Sequence, residues 1–239
     1  MAPLAPLLEP SSSQRKAFAA LKAGLNASAA AAPPRLALEA LIPIAVPALD
    51  RILGGGFPRG ALVTLEGNAG RWSIAARLVA QVTSRSLAAI VDDGGLYPPD
   101  LARAGACLER VLIAPARTPL SIARSVDILV RSRTCRLVLM TAPNLRAAVW
   151  MRLANLAHRA GVLLIAIVTH ATSQLAAAAA LRLDCTLERL IIHGTRGLWC
   201  TFAGYDVRAH VRKHKLAAAG ACARVRAINA PRVADAAVR

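Results

Sequence analysis

From residue 48 onward the chain alternates short apolar runs with longer segments of helical spacing. Residues 61–65, 87–91, 110–114, 136–141 and 162–169 read as strands, each too short and too apolar for an amphipathic helix. Between them, residues 73–84, 99–106, 121–131 and 145–159 read as helices. This regular alternation predicts an α/β domain: a mostly parallel twisted sheet with helices on both faces. After residue 180 the helices stop. Residues 181–185, 189–192 and 198–203 read as further strands, with 194–197 as a hairpin turn, which predicts an antiparallel C-terminal edge.

The two ends differ from this core. Ser11, Ser12 and Ser13 can cap a helix that runs to about residue 31, with Phe18, Leu21 and Leu25 at helical spacing and Pro33-Pro34 as its stop. The organisation expected is a helix and Pro-rich linker over 1–47, a core over 48–207 and a loosely ordered basic tail over 208–239.

Hydrophobic residues make up 56% of the 239, enough for a sizeable core, although aromatics are only 3%. The formal net charge of +17 favours polyanionic partners. The tail holds eight Lys or Arg residues against one acid, Asp235, and its Arg208, Arg212, Lys213, Lys215, Arg224 and Arg226 are the candidate contacts to DNA or to an acidic partner. The alternative for these cations is an edge strand guarded against aggregation. No apolar run reaches bilayer length and no signal-peptide pattern opens the chain, so a cytoplasmic protein without membrane contact is expected. The five cysteines lack zinc-clip spacing and are expected as reduced, mostly buried thiols. The histidines lack metal spacing and pair with no candidate nucleophile, so no metal site and no catalytic triad is expected.

The chemistry-bearing position is the turn after the first core strand. Backbone N–H groups and a helix N-terminus converge on an anion at such a turn. The phosphate-loop pattern is G-x-x-x-x-G-K-[ST]. Here Gly67 and Gly70 are separated by two residues, Arg71 stands in the lysine position, and Trp72 precedes Ser73. The shortened loop loses amides, and arginine's flat fork does not replace a compact ammonium. The preferred reading is therefore a strand-to-helix turn. Asp92 and Asp93 close the second core strand, where α/β ligands bind; turn capping is the favoured role, and metal or nucleotide contact the alternative.

Several segments together resemble the RecA-like recombinase superfamily: Leu53-Gly54-Gly55-Gly56-Phe57-Pro58-Arg59-Gly60 before the first core strand, Ala89-Ile90-Val91-Asp92 with Pro98-Pro99, Leu181-Arg182-Leu183-Asp184, and Val207 to Lys215 as a final strand with a basic end. The segment from Gly95 to Gly105, followed by Leu108-Glu109-Arg110-Val111-Leu112, is most similar to the ImuA-type branch. That resemblance implies a RecA-like P-loop core in an accessory of translesion synthesis, working in the SOS response beside a polymerase or RecA. No cofactor is expected; the resemblance leaves ATP and Mg²⁺ as the possibility. The fourth core strand ends in Met140 and Thr141 where the family carries a magnesium-orienting acid, and no glutamate follows Asp93. Neither 142–144 nor 171–175 offers the basic cluster of a DNA-facing loop. A non-catalytic accessory is thus expected, with a slow ATPase using Arg71, Ser73 and Asp93, or a cap on RecA filaments, as the alternatives.

Overall fold

The computed structural model describes residues 41–195 and 199–228. The helix expected over 13–31 and residues 196–198 of the expected hairpin turn lie outside them, as does the chain beyond 228. The contact pattern separates residues 1–35 from a second unit, 36–239, and the fold described is that of the second unit.

The chain enters through a two-residue strand β1 (Leu41–Ile42), helix α1 (Pro47–Ile52) and strand β2 (Phe57–Pro58), which pairs antiparallel with β1. The core follows as β3 (Leu62–Gly67), α2 (Arg71–Thr83), β4 (Leu87–Asp92), α3 (Pro98–Arg103), β5 (Val111–Pro115), α4 (Pro119–Ser132), β6 (Cys135–Thr141), α5 (Ala147–Ala160), β7 (Leu163–Ile167) and α6 (Ser173–Ala178). Three long antiparallel strands close it: β8 (Leu181–Thr195), β9 (Trp199–His214) and β10 (Cys222–Ile228). The main sheet runs β10-β9-β8-β3-β7-β6-β4-β5. Every pair from β8 to β5 is parallel, and β8, β9 and β10 pair antiparallel. The expected α/β class and antiparallel edge are both present.

Alternation along each strand supplies two cores, one per sheet face. Val63, Leu65, Ile90, Leu139 and Ile165 face one side, where α2 brings Ile74, Leu78 and Val79. Leu62, Val91, Val138 and Leu164 face the other, where α4 and α5 bring Val126, Val130, Trp150 and Leu153. The capping box of Thr118 and Ser121 with Pro119 at N1 starts α4, and Gly161 at φ 66° ends α5.

Two expectations are corrected. The segments 181–185 and 189–192 are one strand. Leu181, Leu183, Cys185 and Leu187 alternate, then the phase slips to Leu190 and Ile192, because Glu188 is an extra residue in a bulge between Leu187 and Arg189. The tail is not loosely ordered over 208–214 and 222–228: those residues lie in β9 and β10, and Val207, Ala209, Val211 and Val225 join the core. The strand over Val207–His214 is accordingly the penultimate one. Of the five free cysteines only Cys135 and Cys185 are buried, while Cys200 and Cys222 on the antiparallel strands are exposed.

Candidate functional site

The parallel strands end on one side of the sheet, and β3 delivers its turn there. The glycines explain the turn's shape. Gly67 has φ 109°, and a Cβ on it would sit 1.8 Å from the carbonyl oxygen of Cys185 on β8. Gly70 has φ 76°, starts α2, and packs so close to Val207 that a Cβ would lie 2.5 Å from its Cγ2. Both glycines are therefore required by the approach of β8 and β9.

The amides of Gly67 and Asn68 and the side chains of Asn68, Arg71 and Ser73 are bound by the protein itself. The Gly67 N–H donates to the Thr169 carbonyl at 2.9 Å, and the Asn68 N–H to the Cys185 carbonyl at 3.1 Å. The Asn68 side-chain oxygen accepts from the Leu187 N–H at 3.2 Å, fastening the turn to β8 a second time. Arg71 donates through Nη1 to Thr169 Oγ1 at 3.1 Å, and the Ser73 hydroxyl meets the Tyr205 hydroxyl of β9 at 2.9 Å. Helix α2 begins at Arg71, two residues ahead of the predicted start, with no side-chain cap. Its uncapped N-terminus can attract an anion, but no loop stands in front of it to wrap a triphosphate. Trp72 is half-buried against the core. A small hollow bounded by Ile44, Leu49, Gly70, Ser73, Arg77 and Val207 lies between α1, α2 and β9, behind the turn.

The structure thus gathers Gly67, Gly70, Arg71 and Ser73. It does not bring Asp92 and Asp93 to them. The end of β4 is three strand positions from β3, roughly 14 Å at ordinary sheet spacing. Asp92 is 4% exposed, and its Oδ2 accepts from the N–H groups of Gly94 and Leu96 at 2.8 and 2.9 Å, which is turn capping. Asp93 is exposed. Met140, at the position where the resemblance puts an acid, is fully buried.

Sequence reasoning missed the strongest ion pair beside this turn. Glu66, the last residue before Gly67, is 6% exposed and is gripped by Arg182 of β8 at 2.7 and 2.8 Å, with Thr64 Oγ1 donating at 2.6 Å. Burial works against the charged carboxyl, but the Arg182 fork and the Thr64 hydroxyl outweigh it and hold Glu66 below the usual glutamate range. The available signal was a strand acid two residues after a strand threonine, with an arginine in a neighbouring apolar strand.

The candidate contact residues lie on the antiparallel extension, and most are engaged. Arg212 pairs with Asp184 at 2.9 Å, Arg224 with Glu188 at 2.6 Å, and Arg226 with Asp206 at 3.0 Å. Lys213 donates to the carbonyls of Ala176 and Ala177 at 2.9 and 3.0 Å, closing the end of α6. Arg208 and Lys215 are exposed and show no carboxylate partner among the described residues. Among the described residues no group of three or more His, Cys, Asp or Glu side chains is placed to hold a metal ion, and no helix is long and apolar enough to cross a membrane.

No family model matches the chain. Part of it is similar to the RecA protein of Picosynechococcus sp., with 33% identity over 105 residues, 42% of this chain. The matched part is 30% of that relative, so the likeness spans under a third of its length. Among solved structures, the crystal structure of the RadB recombinase matches at a TM-score of 0.62, over 78% of this chain and 96% of that one, with 18% identity. The fold is that of the RecA-like recombinases.

Proposed function

We propose that this chain is a non-catalytic RecA-like accessory of the ImuA type, acting in the DNA-damage (SOS) response by docking on a translesion polymerase, on RecA or on DNA. One observation carries the proposal. The N–H groups of Gly67 and Asn68, and the Ser73 hydroxyl, are spent on Thr169, Cys185 and Tyr205. A phosphate would have to displace bonds that already hold β8 and β9 to the turn.

Magnesium–ATP fits this turn poorly on two counts. Two amides are consumed, and β6, two strand positions from β3, offers Met140 in place of a carboxylate. The fold then serves as a shaped surface, and the resemblance of 95–112 to the ImuA-type branch supplies the context for that surface. The net charge of +17 supports a polyanionic or acidic partner, and exposed Arg208 and Lys215 are cations that the protein leaves without a carboxylate among the described residues.

Calorimetry of the full chain with ATP, with and without Mg²⁺, tests the carrying observation. No saturable binding is expected up to about millimolar nucleotide. Micromolar, Mg²⁺-dependent binding that Gly70→Asp abolishes, with turnover, would establish the slow ATPase instead. Pull-down of purified translesion polymerase and RecA by the full chain tests the docking; retention of neither, together with no DNA binding, removes the accessory role.

A further inference from the structure

We propose that the groove between α4 and α5 is a docking site for an acidic amphipathic helix of another protein. The groove is open and about 370 Å³ in volume, with Ala123, Arg124, Asp127 and Ile128 of α4 on one side and Val149 and Arg152 of α5 on the other. Its α4 side is apolar where water has access. Ile128 is 67% exposed, and Leu120, about two turns earlier, 59%. Leu120, Arg124 and Ile128 recur every fourth residue, so they form one stripe on the outer side of α4, while Ile122, Val126 and Val130 are buried on the sheet side. Exposed aliphatic side chains beside a groove are surface that a partner can bury.

The charge around the groove selects the partner's sign. Residues 117–160 hold eight arginines, all exposed, and one acid, Asp127. Asp127 meets Arg131 at 2.8 Å and Arg152 of α5 at 3.1 Å, which ties the two helices together at the groove. Arg124, on the α4 side, and Arg159, about two turns beyond Arg152 on α5, show no carboxylate partner among the described residues. The rim is therefore positive on both sides and complements carboxylates.

The same features exclude the other occupants. A second copy of this chain offers no acidic helix: the described helices carry at most one acid each, Asp50 in α1, Asp100 in α3 and Asp127 in α4, and residues 13–31 hold none. Nucleic acid fits poorly as well. The groove presents no aromatic ring for bases to stack on, Trp150 being fully buried. Asp127 would repel phosphate, and Leu120 and Ile128 would stay wet against a sugar–phosphate backbone. A helix with one apolar stripe and Asp or Glu on both flanks meets every feature: its stripe covers Ile128 and Leu120, and its carboxylates reach Arg124 and Arg159. Helices α4 and α5 are 14 residues each, about 21 Å long, so the groove takes a segment of about three to four turns.

Fluorescence anisotropy with the full chain, at about 0.15 M salt, reads the docking. The probe is a labelled synthetic peptide of about 14 residues, with leucines on one helical stripe and glutamates on its flanks. A Kd of about 1–100 µM is expected. A peptide of the same composition with its leucines scattered around the helix is expected to bind at least tenfold more weakly, which separates docking from plain attraction to a net charge of +17. Ile128→Glu and Arg124→Glu, both at exposed positions, are each expected to weaken the matched peptide several-fold with unchanged circular dichroism, whereas Arg208→Ala on β9 leaves it unchanged. Equal affinity for the scattered peptide, matched binding that survives both substitutions, or single-stranded DNA that displaces the peptide and itself depends on Ile128 would each overturn the proposal. The groove lies on the sheet face opposite α2, so nucleotide binding at the α2 turn does not bear on it. Failure of the polymerase and RecA pull-downs would remove the accessory role and leave the groove standing.

Discussion

The Arg182 guanidinium on β8 holds both carboxylate oxygens of Glu66 on β3, at 2.7 and 2.8 Å, one residue before the turn where this fold is expected to meet phosphate. The pair crosses the junction between the parallel core and its antiparallel extension, so it ties the two parts of the sheet together. Removing Arg182 leaves Glu66 buried with only Thr64 to offset its charge. Arg182→Met is expected to cost about 3–5 kcal/mol in urea unfolding, whereas Glu66→Leu with Arg182→Met costs much less.

The same pair sets part of the acid limit. Glu66 titrates below its ordinary value of 4.5 because Arg182 and Thr64 outweigh burial. Arg224 holds Glu188 down and Arg226 holds Asp206 down in the same direction. A carboxyl lowered in the folded state stabilises fully above its unfolded value and loses that contribution as pH falls through its folded value. Urea midpoints should therefore stay level down to about pH 4.5 and fall below it, and Glu66→Gln should flatten that fall.

Ser73 and Tyr205 exchange one hydrogen bond between α2 and β9. Tyr205→Phe is expected to destabilise by about 1 kcal/mol, and Ser73→Ala similarly, with the double variant costing less than the sum. Freeing the Ser73 hydroxyl should not create ATP binding, because Gly67 and Asn68 remain bonded to Thr169 and Cys185. Titrating ATP into Tyr205→Phe checks this, and a gain of binding would show that Tyr205 alone blocks the site.

Legibility in the sequence followed the strength of local periodicity. Strands β3 to β7 were readable because each is a short apolar run bounded by turn residues, and the structure places all five within two residues of the reading. Strands β8 and β9 were read as fragments because bulges at Glu188 and near Ala203 shift the alternation midway. The start of α2 was read at Ser73, yet Gly70 at φ 76° does the starting and the Ser73 hydroxyl turns to Tyr205. Glu66 stayed invisible because its meaning depends on Arg182, 116 residues away. The tail was misjudged for the same reason: its cations look solvated until Asp184, Glu188 and Asp206 arrive from β8 and β9.

Gly67 and Gly94 separate backbone strain from steric exclusion. Both have φ near 110°, at 109° and 114°, so alanine is strained at either. A Cβ at Gly94 meets nothing within 4 Å, while one at Gly67 overlaps the Cys185 carbonyl. Gly94→Ala is expected to cost about 1–3 kcal/mol and to leave the sheet intact. Gly67→Ala is expected to exceed that and to expose Cys185, which burial otherwise silences by pushing its thiol up to about 12. Thiol labelling reports the difference: Cys185 should stay unlabelled in wild type and Gly94→Ala, and label in Gly67→Ala.

Contact with nucleic acid, if made by the antiparallel extension, is expected to depend on which cations are committed. Each phosphate neutralised by a cation releases counterion, so the slope of log K against log salt counts the contacts. Arg208 and Lys215 are exposed without a carboxylate partner among the described residues, whereas Arg224 and Arg226 already face Glu188 and Asp206. Arg208→Ala and Lys215→Ala should each reduce the slope for single-stranded DNA by about 0.7. Arg224→Ala should reduce it less, because the freed Glu188 adds a repelling charge while one partly neutralised cation is lost, and should weaken binding at every salt concentration. Fluorescence anisotropy across a salt series measures both quantities. A slope unchanged by Arg208→Ala and Lys215→Ala would move the polyanion contact off this face and leave an acidic protein surface as its partner.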